Sequence, residues 1–227
     1  MSSPSKSLRP VLRILTLRAR AADYEQLSFT HLLLGLGATW LVGIGRYWDN
    51  PRVSLLQHTG VGSLVYVVLL TCLLWLIGIG LRPARWSLRH LFTFVTLTAL
   101  PGFLYAIPVE RWLSPEVART TNLWFLAVVA AWRVLMYARY LRVYAGLPLG
   151  ALLVQLFLPL TLIVSALAVL NLERAVFDIM GGVRETTAAD AAYQVLVVLT
   201  MLSVVLFPIL LLAYIVLAIL RRRREVS

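Results

Sequence analysis

The sequence predicts an all-α, polytopic membrane bundle of six transmembrane helices, with both termini on the cytoplasmic side. Three observations predict it. Apolar residues make up 60% of the 227, and charged residues only 14%, whereas a soluble domain carries about 25% charge. The apolar residues fall into six long blocks, and a run of about 20 matches the thickness of a bilayer's hydrocarbon core. The basic residues collect in alternate segments between those blocks, as the positive-inside rule requires. The mean hydropathy of +0.85 agrees.

The elements follow in order. Residues 1–27 read as a cytoplasmic tip followed by a basic amphipathic helix. Ser2-Ser3-Pro4-Ser5-Lys6-Ser7 has the composition of a disordered tip. From Leu8 to Arg20, helical spacing puts Arg9, Arg13, Thr16 and Arg20 on one narrow face, and Leu8, Val11, Leu12, Ile14 and Leu15 on the other side. Arg18 breaks the pattern. Pro10 fits the first turn of a helix capped by Ser7. Two roles suit this segment: a helix lying on the inner leaflet, or a basic flank that sets orientation. It lacks the long apolar core and small-residue cleavage site of a signal peptide, so the first spanning helix is expected to be an uncleaved anchor.

Residues 28–220 hold the six blocks, near Phe29–Gly45, Val61–Leu81, Leu91–Pro108, Leu123–Leu141, Leu147–Leu170 and Tyr193–Leu220. The first is short and rich in glycine. The third contains Pro101-Gly102. The sixth is longer than a core of about 30 Å needs, which predicts tilt, a kink at Pro208 or an extramembrane turn. Pro101 and Pro208 hold corresponding places if the chain is a three-plus-three repeat, as in some transporters. Residues 221–227 form a basic cytoplasmic tail.

Orientation comes from the arginines. With the N-terminus inside, the inner segments hold Lys6, Arg9, Arg13, Arg18 and Arg20, then Arg82, Arg85 and Arg89, then Arg139 and Arg142, then Arg221 to Arg224. The outer loops hold Arg46, Arg52, Arg111, Arg119, Arg174 and Arg184. Six helices return the C-terminus inside. Trp48, Trp86, Trp112, Tyr140 and Tyr144 fall near block ends, where interface aromatics belong. One lysine among so many arginines points to a high-GC bacterial genome, and hence to a multi-pass protein of the bacterial inner membrane. The net charge of +11 sits in these flanks. That placement predicts contact with anionic inner-leaflet lipids, at the N-terminal helix and at Arg221–Arg224, and no nucleic-acid partner.

Motifs of catalysis are missing. There is no H-E-x-x-H, P-loop, G-x-S-x-G or Cys/His ligand cluster. Asp23, Asp49, Asp178 and Asp190 all fall outside the apolar blocks. His31, His58 and His90 lie on different segments, with His58 on the opposite side from the other two, so no metal site is expected, and no cofactor. Cys72 forms no intrachain disulfide because it is the only cysteine; it reads as a small apolar packing residue.

Arg133 is the chief anomaly, because it sits inside the fourth block. An arginine at membrane depth is either a binding residue or a snorkelling one. As a binding residue it would hold an anion or lipid headgroup in the cytoplasmic half. As a snorkelling residue it would climb toward Arg139, about 9 Å along the helix. The outer loops hold a second polar set, including Glu110, Arg111, Glu173 and Asp178. These either pair across the loops to close the bundle or form a docking or external catalytic surface, with His58. Thr96, Thr98, Tyr105, Gln155 and Ser165 are expected to hydrogen-bond between helices, and Gly35, Gly37, Gly43, Gly45, Gly78 and Gly80 to permit close packing, within the chain or between chains.

The middle of the chain resembles bacterial Yip-type membrane proteins, relatives of the family that contacts Rab GTPases in eukaryotes. The resembling stretch is Leu100-Pro101-Gly102-Phe103-Leu104-Tyr105-Ala106-Ile107-Pro108, then Asn122-Leu123-Trp124 through Arg142-Val143-Tyr144-Ala145-Gly146-Leu147-Pro148, and on to Leu158-Pro159-Leu160. A proline-containing helix there precedes an apolar helix, a short basic turn with glycine and another apolar helix ending near proline. Arg133 and a sixth helix depart from that family's five-helix pattern. The resemblance implies a non-enzymatic partner-binding membrane protein and transfers no functional residue. Three functions stand open: a scaffold or accessory subunit bound to another membrane protein or to copies of itself, a small transporter or channel, and a membrane-embedded enzyme acting on lipid at the outer face.

Overall fold

The computed structural model describes residues 4–45, 55–170, 172 and 191–223, and their secondary structure is entirely helical. The elements are α1 (Pro4–Leu15), α2 (Ala21–Glu25), α3 (Phe29–Gly45), α4 (Leu55–His58), α5 (Val61–Leu81), α6 (Leu88–Leu97), α7 (Pro115–Arg139), α8 (Leu149–Val169) and α9 (Ala191–Arg223). Short 3-10 turns at Leu100–Ala106 and Val109–Arg111 follow α6, and a π-helical turn, Tyr140–Tyr144, continues α7. Four helical stretches are long and apolar enough to cross a membrane: Val61–Leu81, Glu116–Tyr144, Leu149–Val169 and Val197–Arg223. Phe29–Gly45 and Leu88–Leu104 are apolar but shorter.

The N-terminal segment differs from the single amphipathic helix expected over Leu8–Arg20. Helix α1 begins at Pro4, so Ser7 lies inside it and not at the N-cap position expected of it. The chain then turns at Leu17, whose φ is 59°, and restarts as α2. The Arg20 amide donates to Asp23 Oδ2 at 2.7 Å and closes the first turn of α2. Val11, Ile14, Ala19, Tyr24 and Leu27 are buried in the same core as α6, α7 and α8. The apolar stripe of α1 therefore covers protein, while Leu8, Leu12 and Arg9 stay exposed.

Helix α3 packs on α5, α6 and the first 3-10 turn, α5 packs on α8, and α9 lies along α8 and α5. Glycines set the closest approaches. A Cβ at Gly35 would overlap Thr96, one at Gly43 would overlap Ser63, and one at Gly80 would overlap Tyr214, whereas a Cβ at Gly37 would meet open space. The small residues of α3 and α5 thus serve packing within the chain, Gly37 excepted. Pro208 stays inside an unbroken α9, whereas Pro101 follows the end of α6, so the two prolines act differently.

Candidate functional site

The site with most chemical content lies where α6 ends. Pro101 has no amide hydrogen, and its ring disfavours helix for the residue before it. Regular helix stops at Leu97, with Thr98 as the cap, and a 3-10 turn takes over at Leu100. Carbonyls at such an end lack helical partners. The Thr98 carbonyl accepts from Arg133 Nε at 2.8 Å. Arg133 thus caps a broken helix from α7, which packs on the 3-10 turns that follow α6.

That bond corrects the expectation that Arg133 climbs toward Arg139 and the headgroups. Its Nε is held at the end of α6, about 15 Å of helix from Leu88. Arg139 is engaged separately, its Nε donating to the Ala19 carbonyl at 3.0 Å, and Arg142 donates to the Leu147 carbonyl at 3.3 Å. Among the described residues, the two terminal amino groups of Arg133 have no protein partner. The side chain is only partly buried.

The arginine-rich segments meet at one end of the bundle. Arg85 pairs with Glu25 at 3.2 Å, and Arg13 with the buried Asp23 at 3.0 Å. The Ala84 amide donates to the Ala145 carbonyl at 2.9 Å, joining the α5–α6 and α7–α8 turns. Gly146, at φ 68°, permits the second of these turns. From α9, Arg221 donates to the carbonyls of Leu81 and Arg82.

Beneath this end lies an aromatic core. Phe94 stacks on Tyr140 with centroids 4.4 Å apart, and Tyr24 meets Tyr140 edge-on at 5.3 Å. Tyr144 lies 5.1 Å from Tyr140. Tyr140 and Tyr144 are thus core residues and not the interface anchors expected from their place near a block end; Trp112, 70% exposed, does suit an interface. Burial pushes the Tyr24 hydroxyl well above its usual range, against the pull of Arg139, and the Asp23 carboxylate adds to the rise. Trp86 folds over Gly78, where a Cβ would overlap its ring, and donates to the Trp75 carbonyl at 3.0 Å.

Polar groups at depth are largely bonded to nearby helix carbonyls. Thr39 bonds Gly35, Thr71 bonds Val67, Thr96 bonds Thr93 and Thr98 bonds Val95. For Thr96 and Thr98 this corrects the expectation of bonds between helices. Gln155 behaves as expected, its amide donating to the Leu74 carbonyl at 2.8 Å and the Tyr137 hydroxyl at 2.9 Å. The buried Ser165 hydroxyl has no partner among the described residues. His31 Nδ1 accepts from the Ser28 amide at 3.1 Å and caps α3. Cys72 is exposed on α5 and is not a packing residue.

The outer polar set is only partly visible. Glu110 and Arg111 lie in the second 3-10 turn, and Arg111 is exposed. Glu173 and Asp178 lie outside the described residues. Among the described residues, no three His, Cys, Asp or Glu gather in a group able to hold a metal ion.

Among the described residues the secondary structure is all helical, and four helices have the length and apolar composition of membrane-spanning segments, the signature of a membrane-embedded helical protein. No protein-family model, no curated protein and no solved structure matches it.

Proposed function

We propose that this chain is a non-catalytic, multi-pass scaffold or accessory subunit of a bacterial inner membrane, binding protein partners within or beside the bilayer. The observation that carries this reading is the packed aromatic and apolar core at the basic end of the bundle. Thr39, Thr71 and the Gln155 amide nitrogen bond to carbonyls of the bundle, the Tyr140, Ser165 and Thr200 hydroxyls are buried without a partner among the described residues, and the end of the bundle beneath the arginines is packed with aromatic rings. A transport path needs polar groups free to face a solute. The break in α6 is the feature that fits a transporter, but its Thr98 carbonyl is occupied by Arg133.

Six spans and cytoplasmic termini remain part of this proposal. The gathering of the α1–α2 segment, both basic turns and Arg221 at one end supports a shared side for the arginine-rich segments, which the positive-inside rule makes cytoplasmic. Anionic lipids then face Arg9, Arg18, Arg20 and the Arg221–Arg224 tail. A role like that of the Yip-type proteins falls within this reading. The test is purification of the tagged full chain in mild detergent, with identification of what accompanies it. A stoichiometric membrane partner is expected. Reconstituted chain that alone moves a solute or converts a lipid would overturn the proposal.

A further inference from the structure

Arg133 caps the end of α6 through one nitrogen, which leaves both terminal amino groups of a partly buried cation without a protein partner among the described residues. A guanidinium at membrane depth requires compensation, and intramembrane charges pair with one another or with backbone carbonyls. One carbonyl is present. Snorkelling cannot supply the rest, because the bond to Thr98 holds the head about 15 Å of helix from the start of α6. A lipid phosphate would have to sink by a similar distance, whereas a carboxylate on a spanning helix reaches that depth readily.

The surface beside Arg133 admits such a helix. Ala130 lies one turn before it and Ala127 one turn before that, with Ala131 alongside, and all three are exposed. Exposed small side chains let a second backbone approach closely. Arg133 stands at the margin of this face, between exposed Ala130 and buried Val129 and Met136. A second copy of this chain cannot be the partner through this contact. Its acids are Asp23, Glu25, Asp49, Glu110, Glu116, Glu173, Asp178, Glu185, Asp190 and Glu225, and none lies in an apolar block.

We infer that Arg133 and the alanine face of α7 dock a transmembrane helix of a different protein, one that carries an aspartate or glutamate near the middle of the membrane. This deepens the partner-binding reading and rests on it.

The test uses the full chain, labelled with a donor dye on Cys72 and reconstituted in phosphatidylcholine vesicles. The probes are acceptor-labelled Leu/Ala helices with one central Glu, with Gln in its place, or with Glu moved to the headgroup end. Association is read by energy transfer. The central-Glu helix should bind about tenfold more tightly than the other two. The preference should vanish in Arg133→Leu and reappear between Arg133→Glu and a central-Lys helix. Equal binding of Glu and Gln helices to the wild-type chain would overturn the inference, and so would a preference that survives Arg133→Leu. The comparison within the wild type holds even where a variant fails to fold. Displacement of the central-Glu helix by phosphatidylglycerol would make a lipid phosphate the occupant and also overturn it. A native partner retained equally by Arg133→Leu would leave the scaffold reading standing and refute this site alone.

Discussion

The indole Nε1 of Trp132 donates to the carbonyl of Leu15 at 2.8 Å, joining residues 117 positions apart. One helical repeat further along α7, Arg139 does the same for the Ala19 carbonyl. Two side chains of one helix face thus hold both ends of the α1–α2 connection. Nothing in the amphipathic pattern of α1 required this, since an apolar stripe suits a lipid leaflet as well as a protein surface.

The N-terminal segment should therefore be protected by the bundle. Trp132→Phe keeps an aromatic side chain but removes the donor, at a local cost of about 1 kcal/mol for the lost bond, along with part of the indole's volume. Hydrogen exchange over residues 11–24 should accelerate, with α8 unaffected. Unchanged exchange there would show that burial of Val11, Ile14 and Tyr24 suffices without the bond.

Gln155 and Ser165 offer a contrast on one helix. Gln155→Leu removes two donated bonds, to the Leu74 carbonyl and the Tyr137 hydroxyl, along with a side-chain oxygen that has no partner among the described residues. Thermal unfolding in detergent should show a loss of about 1–2 kcal/mol. Ser165→Ala removes a buried hydroxyl with no partner among the described residues, so it should be neutral or stabilising. The reverse order would mean that the Gln155 bonds contribute nothing net.

The glycines of α3 separate in the same way. Gly35→Ala forces a Cβ against Thr96 and should destabilise by about 1–3 kcal/mol as overpacking does. Gly37→Ala meets open space and, with alanine the better helix former, should be neutral or mildly stabilising. Melting of the two variants side by side decides it. Equal loss in both would point to a second molecule covering Gly37.

How much of this was legible depended on whether the signal was local. The apolar blocks carried the helices, because length and hydropathy belong to single segments. The role of Gln155 was legible too, since a buried amide in an apolar helix needs partners elsewhere. Tyr140 and Tyr144 were misplaced because nearness to a block end outweighed a second signal. Tyr137, Tyr140 and Tyr144 follow a three-then-four spacing, which lines them on one helix face. The partner of Arg133 left no mark, since a backbone carbonyl has no side-chain identity. Only Pro101 hinted that a carbonyl would be freed at that depth.

The topology itself remains the broadest prediction, and the convergence of basic segments sharpens it. The α1–α2 segment, the turn holding Arg85, the turn holding Arg142 and the start of the C-terminal arginine run are tied together by direct contacts. Segments in contact lie on the same side of a membrane, so reporters fused after Arg85, Arg142 and Arg224 should all give the same answer, and the positive-inside rule makes it cytoplasmic. Fusions after Gln57, Glu116 and Glu185 should give the opposite one. Discord among the first three would contradict the packing of the basic end. Concord among them with a cytoplasmic reporter at Glu185 would instead leave that packing intact and remove the last two of the six spans. The shorter apolar helices are probed by the same set: a cytoplasmic reporter at Gln57 would mean that α3 and α5 do not cross as separate spans, and α3 would then lie buried against α5 and α6 from one side.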